Sequence, residues 1–449
     1  MKIKLSTPLC AAELHRIYGK RSDLPDERRY THVATHSAEC DPETLFFALD
    51  GERVCGDRFI PALASEGITC IGRVAACGCY TVASGTEALL SLGAYYKKEH
   101  LPALQSTVGI TGSVGKTTTK EAVARMLGTH YRVHKTEGNR NSEIGLPLTI
   151  LEAPPTTEIL VPEMGINHPG EMERMARCAA VDLAVITNIG TAHIGNFGSR
   201  EAIANEKSRI RQAASVPIVT GAEPLLSHLP NILAVGESGR YRLQRNSTNP
   251  EHILYRSDQR KLPIPYSMPP ADIAAALLYS LAIGELLSLS ASEMEEGVRA
   301  ILAYDGRRQI FDIHGIRVID DSYNASLESM ALSLSLLSAY EGGTFAVLAD
   351  MLELGTHSEP LHRALGKEIA KANPTRVYYL GEYSKSVRHG AATGGYDARH
   401  ILPFPPYAYE ECVEQILSDV REGDTLLLKG AHKSELFRIR EILRAKKNQ

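Results

Sequence analysis

Gly109-Ile110-Thr111-Gly112-Ser113-Val114-Gly115-Lys116-Thr117-Thr118-Thr119 decides how this chain is read. It closes the strand-like run Leu104–Thr111 and opens Thr117–Leu127, where Ala122, Val123, Met126 and Leu127 fall on one helical face and Gly128 is placed to end the helix. A glycine-rich turn between a strand and a helix suits phosphate. Backbone N–H groups close on its oxygens, the helix N-terminus adds positive potential, Lys116 neutralises charge and the Thr117 hydroxyl reaches Mg²⁺. The strict G-x4-G-K-[ST] spacing needs a glycine at 110, where Ile110 stands, so this is a variant of that loop. A plain glycine turn ahead of a helix is the alternative, and Gly-Lys-Thr-Thr at 115–118 weighs against it. The stretch predicts nucleotide binding by Gly112, Ser113, Val114, Gly115, Lys116, Thr117 and Thr118.

Outward from this turn, apolar runs alternate with helical patterns from Thr86 to about Asp305, the pattern of βαβ units and a mostly parallel sheet. Ile159–Val161 and Leu183–Ile186 read as buried strands. The alternation starts again near Gly306, with strands expected at Ile316–Ile319, Phe345–Leu348, Val377–Leu380 and Thr425–Leu428. Before Ser84 the chain is richer in Cys and broken by turn residues, and Thr44–Leu49 is its clearest strand. These zones predict an α/β protein with domains at 1–84, 85–306 and 307–449: a small first domain, a central P-loop ATPase-like parallel sheet and a C-terminal Rossmann-like domain. Ser238–Pro265 is polar and gives no assignable pattern.

The chain has 449 residues, 43% hydrophobic and 23% charged, so it has the means to bury a core. Its 49 Lys+Arg against 53 Asp+Glu, with no long run of either sign, argue against a nucleic-acid or membrane-surface binder. Met1–Lys20 has scattered charges and no apolar core of a signal peptide. Ala271–Leu287 carries Asp272 and Glu285 and falls short of the roughly 20 residues of a membrane span. A cytoplasmic, monomeric protein is expected. The eight cysteines have neither paired CxxC motifs nor spaced histidines, so buried reduced thiols are expected rather than zinc.

Polar residues at strand ends are the next candidates, because open α/β sheets place ligands there. Glu163 follows Ile159–Val161, Thr187 and Asn188 follow Leu183–Ile186, and His193 lies five residues beyond Asn188. A carboxylate and an imidazole beside a phosphate loop suit a metal ion, although each alone reads equally well as a helix-capping acid or a loop histidine. Lys207 sits in an expected helix, Ser199–Ile210, and by pattern is a solvated lysine that spacing does not separate from Arg209. Asp320-Asp321-Ser322-Tyr323-Asn324 ends a later strand and fits either a crevice or an Asp-Ser turn.

Taken in order, these motifs resemble the Mur ligases. The resemblance rests on residues 109–121, K-T-E-G-N-R-N-S-E-I-G-L-P-L-T-I-L at 135–151, E-M-G at 163–165, T-N-I-G-T-A-H at 187–193, G-S-R-E-A-I-A-N-E-K at 198–207, D-D-S-Y-N-A-S at 320–326 and D-M-L-E-L-G at 350–355. It implies the three-domain Mur ligase architecture. It also implies an ATP-dependent amide ligase of peptidoglycan synthesis whose partners are small molecules, a UDP-N-acetylmuramoyl tripeptide and D-alanyl-D-alanine. ATP and Mg²⁺ are the implied cofactors. Lys116 and Thr117 would bind the phosphates and Mg²⁺, with Glu163 and His193 on the metal. Lys207 would be carbamylated by CO₂ into a metal ligand. Asn139 and Asn141 would face the nucleotide-sugar peptide, Arg307 the γ-phosphate, and Asp321 and Asn324 the ATP from the third domain.

Departures from the family pattern bear mainly on substrate choice. The family's D-S-R, a uridine-nucleotide contact, reads His36-Ser37-Ala38, and its D-G-H reads Cys55-Gly56-Asp57. H-N near the adenine reads Pro270-Ala271, N-P after D-S-Y-N-A reads Ser326-Leu327, and K-G-S-R reads Lys429-Gly430-Ala431-His432. A paralogue joining a different carboxylate and amine, and a non-catalytic ATP-binding scaffold, stay open as alternatives at this stage.

Overall fold

T-L-F-F at 44–47 has no polar face and is buried throughout, so its strand needs cover on both sides. It lies at the centre of a sheet formed by β1 (Lys2–Cys10), β2 (Arg29–Ala34), β3 (Thr44–Phe47), β4 (Thr69–Gly72) and β5 (Tyr80–Thr81), in that order, with only β1–β2 antiparallel. The computed structural model describes the chain apart from residues 21, 22, 52, 53, 222, 248, 250, 304–308 and 447–449.

The central sheet contains β6 (Ser106–Thr111), β7 (Val133–Lys135), β8 (Ile159–Val161), β9 (Leu183–Ile186), β10 (Ile218–Thr220) and β11 (Ile232–Ala234). All are parallel, in the order β11-β10-β9-β6-β8-β7. The order reverses around β6, which puts the loop after β6 at the switch point where such sheets open a crevice. That loop feeds the helix Lys116–Leu127, whose Ala122, Val123, Met126 and Leu127 are buried in one core with Leu277, Leu281 and Ile283 of the helix Ala271–Leu286. The apolar Ala271–Leu286 is thus a core helix, and none among the described residues is long and apolar enough to cross a membrane.

The segment that gave no pattern, 238–265, contains a three-stranded antiparallel sheet, β12 (Arg242–Arg245), β13 (Ile253–Arg256) and β14 (Lys261–Ile264). Ile253, Tyr255, Leu262 and Ile264 alternate inward to the central core. β13 and β14 offer two inward positions each and β12 only Leu243, too few for periodicity to stand out.

The C-terminal sheet contains β15 (Gln309–Ile313), β16 (Ile316–Asp321), β17 (Thr344–Ala349), β18 (Arg376–Leu380), β19 (Ile401–Phe404) and β20 (Thr425–Lys429), ordered β15-β16-β20-β17-β18-β19. Only β15 is antiparallel, a hairpin partner of β16 at the edge. The chain divides into two compact units, Met1–Asn188 with Ala204–Leu302 and Ile189–Ile203 with Ala303–Gln449. The first contains both the N-terminal and the central sheet.

All eight cysteines are free. Cys70, Cys79, Cys178 and Cys412 are buried as expected, whereas Cys55 and Cys77 are exposed and Cys10 and Cys40 lie between. Asp50, Cys55 and Asp57 come close enough to suggest a metal site, but Arg73 fills the space between them. Its guanidinium donates to Asp57 Oδ2 at 2.6 Å, Asp50 Oδ1 at 2.5 Å and Cys55 Sγ at 3.0 Å.

Candidate active site

The loop after β6 turns where only glycine fits. Gly112 has φ +148°, and a Cβ there would lie 1.8 Å from Thr187 Oγ1. Asn188, at the end of β9, clasps the loop: its Oδ1 accepts from Ser113 N at 3.2 Å and Val114 N at 3.0 Å, and its Nδ2 donates to Val114 O at 3.1 Å. Thr187 Oγ1 adds a bond to Val114 O at 2.6 Å. The amides of Ser113 and Val114 therefore shape the loop here. Gly115 then enters the helix, whose first amides have no carbonyl partner within it.

Glu163 is 1% exposed, yet neutral groups meet its carboxylate. Thr117 Oγ1 donates to Oε2 at 2.6 Å and Asn141 Nδ2 to Oε1 at 2.8 Å. Its backbone is fixed as well, since Glu163 N donates to Thr136 Oγ1 at 3.0 Å. Buried Lys120 in turn donates to Thr136 O at 2.6 Å. A buried carboxylate with neutral partners is poised for a cation, so this donor set fits the oxygen ligands that Mg²⁺ takes. Asn188 has no role assigned from sequence beyond its strand-end placement, and Thr136 and Lys120 are not among the sequence candidates. Their roles pass through long-range contacts, and only the strand-end placement of Asn188 offered a signal.

Lys207 is not solvated. It lies in the helix Arg200–Ser208, 3% exposed, and donates to Gly112 O at 3.1 Å. Lys116 Nζ donates to the same carbonyl at 2.8 Å. Burial, followed by the Lys116 charge, depresses the Lys207 ammonium well below its ordinary value, with Glu206 opposing the shift. Arg209, alike in sequence, reaches Glu173 on the surface at 2.7 Å.

His193 belongs to the second unit and bonds through Nδ1 to Glu353 Oε2. Asp321 ends β16 and pairs with Lys429 Nζ at 3.0 Å, while its Oδ2 also accepts from Ser333. Asn324 and Asn139 are exposed, and Thr118 is half-buried in the first turn of its helix. His36 is exposed at the start of the turn Ser37–Glu39. Arg307 lies outside the described residues.

A parallel sheet with a phosphate loop at its switch point, followed by a second α/β unit, defines a nucleotide-dependent enzyme class, and sequence comparison identifies it. The Mur ligase middle domain matches residues 110–249 and the Mur ligase glutamate ligase domain matches 306–432. The chain belongs to the Mur ligase family, whose three-domain α/β architecture it has. Within that family it is 32% identical over 429 residues to the UDP-N-acetylmuramoyl-tripeptide--D-alanyl-D-alanine ligase of Bacillus subtilis strain 168, covering 91% of this chain and 92% of the relative. The MurF ligase of Thermotoga maritima in complex with ADP superposes with a TM-score of 0.78 at 26% identity, over 93% of this chain and 98% of that one. MurF from Acinetobacter baumannii has the same fold, with a TM-score of 0.84 at 24% identity over 99% and 100% of the two chains.

Proposed function

We propose that this protein is an ATP-dependent ligase that joins D-alanyl-D-alanine to UDP-N-acetylmuramoyl tripeptide in peptidoglycan precursor synthesis. The observation that carries the reading is the phosphate loop with the Thr117–Glu163 contact at its helix start, in a chain similar over nine-tenths of its length to ligases of that name. The terminal carboxylate of the tripeptide attacks the γ-phosphorus of ATP, ADP leaves, and an acyl phosphate forms. The dipeptide amine attacks the acyl carbon and gives up a proton as phosphate departs, leaving an amide.

Lys116 and the first amides of its helix hold the phosphates in line, where fixed charge lowers the barrier more than covalent chemistry would. Thr117, Glu163, His193 and Lys207 are the residues that would hold Mg²⁺, which when bound offsets the negative charge of the transferring phosphoryl group. Asn141 steadies Glu163, while Asn139 faces the nucleotide-sugar peptide. Asp321 and Asn324 are the proposed contacts of the C-terminal domain to ATP, with Arg307, which lies outside the described residues, proposed for the γ-phosphate, and the domains at 1–84, 85–306 and 307–449 are proposed to bring carboxylate, ATP and amine respectively. Lys207 acts as a carbamate. Its depressed proton affinity favours the neutral amine, which adds to CO₂ and loses a proton to become an anionic ligand.

Mass spectrometry of the product tests this reading, with phosphate release measured in parallel. ADP and the UDP-N-acetylmuramoyl pentapeptide should form only when ATP, tripeptide and dipeptide are all present. Turnover with a different carboxylate or amine and none with this pair would overturn the substrate assignment, and no turnover with any pair would favour a scaffold.

A further inference from the structure

Residues Ile189–Ile203 carry His193, and the C-terminal part of the chain holds them at several points. Thr191 donates to Glu328 through N at 2.9 Å and Oγ1 at 3.1 Å. Gly195 N donates to Glu353 O at 3.0 Å, and His357 Nε2 meets Gly198 O at 3.2 Å. Glu353 is thus engaged twice, by its carbonyl and by the carboxylate that meets His193 Nδ1. His193 and Glu353 both hold left-handed backbone, φ 61° and 62°, which side chains other than glycine avoid. The two stretches lie so close that a Cβ on Gly195 would sit 2.6 Å from Glu353 O. Two strained residues facing each other across one hydrogen bond are kept there by their surroundings, as happens at functional sites.

We propose that Glu353 is a positioning residue that sets the tautomer of His193. A carboxylate only accepts, so Nδ1 must carry the proton and donate it, and the lone pair of the neutral ring then lies on Nε2, the nitrogen that would meet a divalent cation. This deepens, and rests on, the reading of His193 as a metal ligand. A latch that merely joined the two stretches would leave the ring tautomer without consequence for a metal.

The test combines ring-nitrogen NMR and Mn²⁺ binding on the full chain. With ¹⁵N-labelled histidine and no metal, the His193 signals are assigned by their loss in His193→Gln, and the wild type should show a proton on Nδ1. Glu353→Ala should shift the proton toward Nε2 and weaken Mn²⁺ binding in the presence of ADP, read by electron paramagnetic resonance of free Mn²⁺, by about tenfold or more. Glu353→Gln keeps an acceptor oxygen and should restore the tautomer and most of the affinity. Should Glu353→Ala fail to fold, Glu353→Asp, whose shorter side chain draws back from Nδ1, takes its place in the comparison. An unchanged tautomer or Mn²⁺ affinity in that variant, with binding weakened in His193→Gln, overturns the proposal and spares the metal reading. Unchanged Mn²⁺ affinity in His193→Gln removes His193 from the metal site, and the proposal falls with it.

Discussion

Replacing Asn188 by Ala removes three hydrogen bonds that shape the phosphate loop: Ser113 N and Val114 N to Oδ1, and Nδ2 to Val114 O. Each neutral bond contributes about 1 kcal/mol net, so roughly 3 kcal/mol is the ceiling. Asn188 is only half-buried, so water can take over some of these partners, and the Thr187 bond to Val114 O remains. About 1.5–2 kcal/mol is therefore expected to bear on the loop conformation that receives phosphate. Because 1.4 kcal/mol corresponds to tenfold, ADP affinity should fall by about 10- to 30-fold. Isothermal titration calorimetry with MgADP measures this, and circular dichroism should report an unchanged fold, since the sheet itself keeps its bonds. Asn188→Asp keeps an acceptor for the loop amides but places a negative charge beside the phosphates, so it should bind ADP no better than the Ala variant. A Kd for Asn188→Ala within twofold of wild type, in a folded protein, would refute the idea that this side chain organises the loop.

Lys207→Met should abolish ligation while keeping or raising thermal stability, because it replaces a buried amine beside Lys116 with an apolar side chain of similar length. The fold depresses this amine below 10.5, so between the depressed value and 10.5 the unfolded chain binds more protons and wild-type stability rises with pH. Urea melts at pH 7 and 9 should show that slope reduced in Lys207→Met, and equal slopes would count against a buried amine of depressed proton affinity. Glu163→Gln keeps its size and one of the two acceptor oxygens that Thr117 and Asn141 meet but loses the charge, so the Mg²⁺ concentration for half-maximal activity should rise at least tenfold; an unchanged titration would remove Glu163 from the metal site. Thr136→Val deletes the hydroxyl that accepts from Glu163 N, leaves that buried amide unpaired and should destabilise by about 1–3 kcal/mol, read by chemical denaturation. Gly112→Ala should eliminate nucleotide binding, because the added methyl would collide with Thr187 Oγ1; retained calorimetric binding would show that the loop has room to adjust.

The strand Leu183–Ile186 falls where its apolar run placed it, and the helix after the glycine-rich loop starts at Lys116, one residue before its expected start. Both are legible because a local rule fixes each: a short apolar run bounded by turns, and a glycine turn that exposes helix amides. The strands β12–β14 were not legible, since four-residue segments with alternating burial resemble any polar loop until a core exists to bury them.

The sequence by itself determined the loop 109–119, the βαβ alternation around it and the set of strand-end residues, because those signals lie within one or two turns of chain. Tertiary structure alone decided that Lys207 is buried while Arg209 is not, since Lys207 lies in the last turn of a short helix and Arg209 just past its end, and only packing against the loop carbonyl of Gly112 separates them. It also decided that Asn188 grips the phosphate loop and that Glu353 meets His193, contacts across 74 and 160 residues that no periodicity encodes. A side chain's protonation, tautomer and burial belong to the space that several distant segments enclose, so they come into being only when the chain has folded around it.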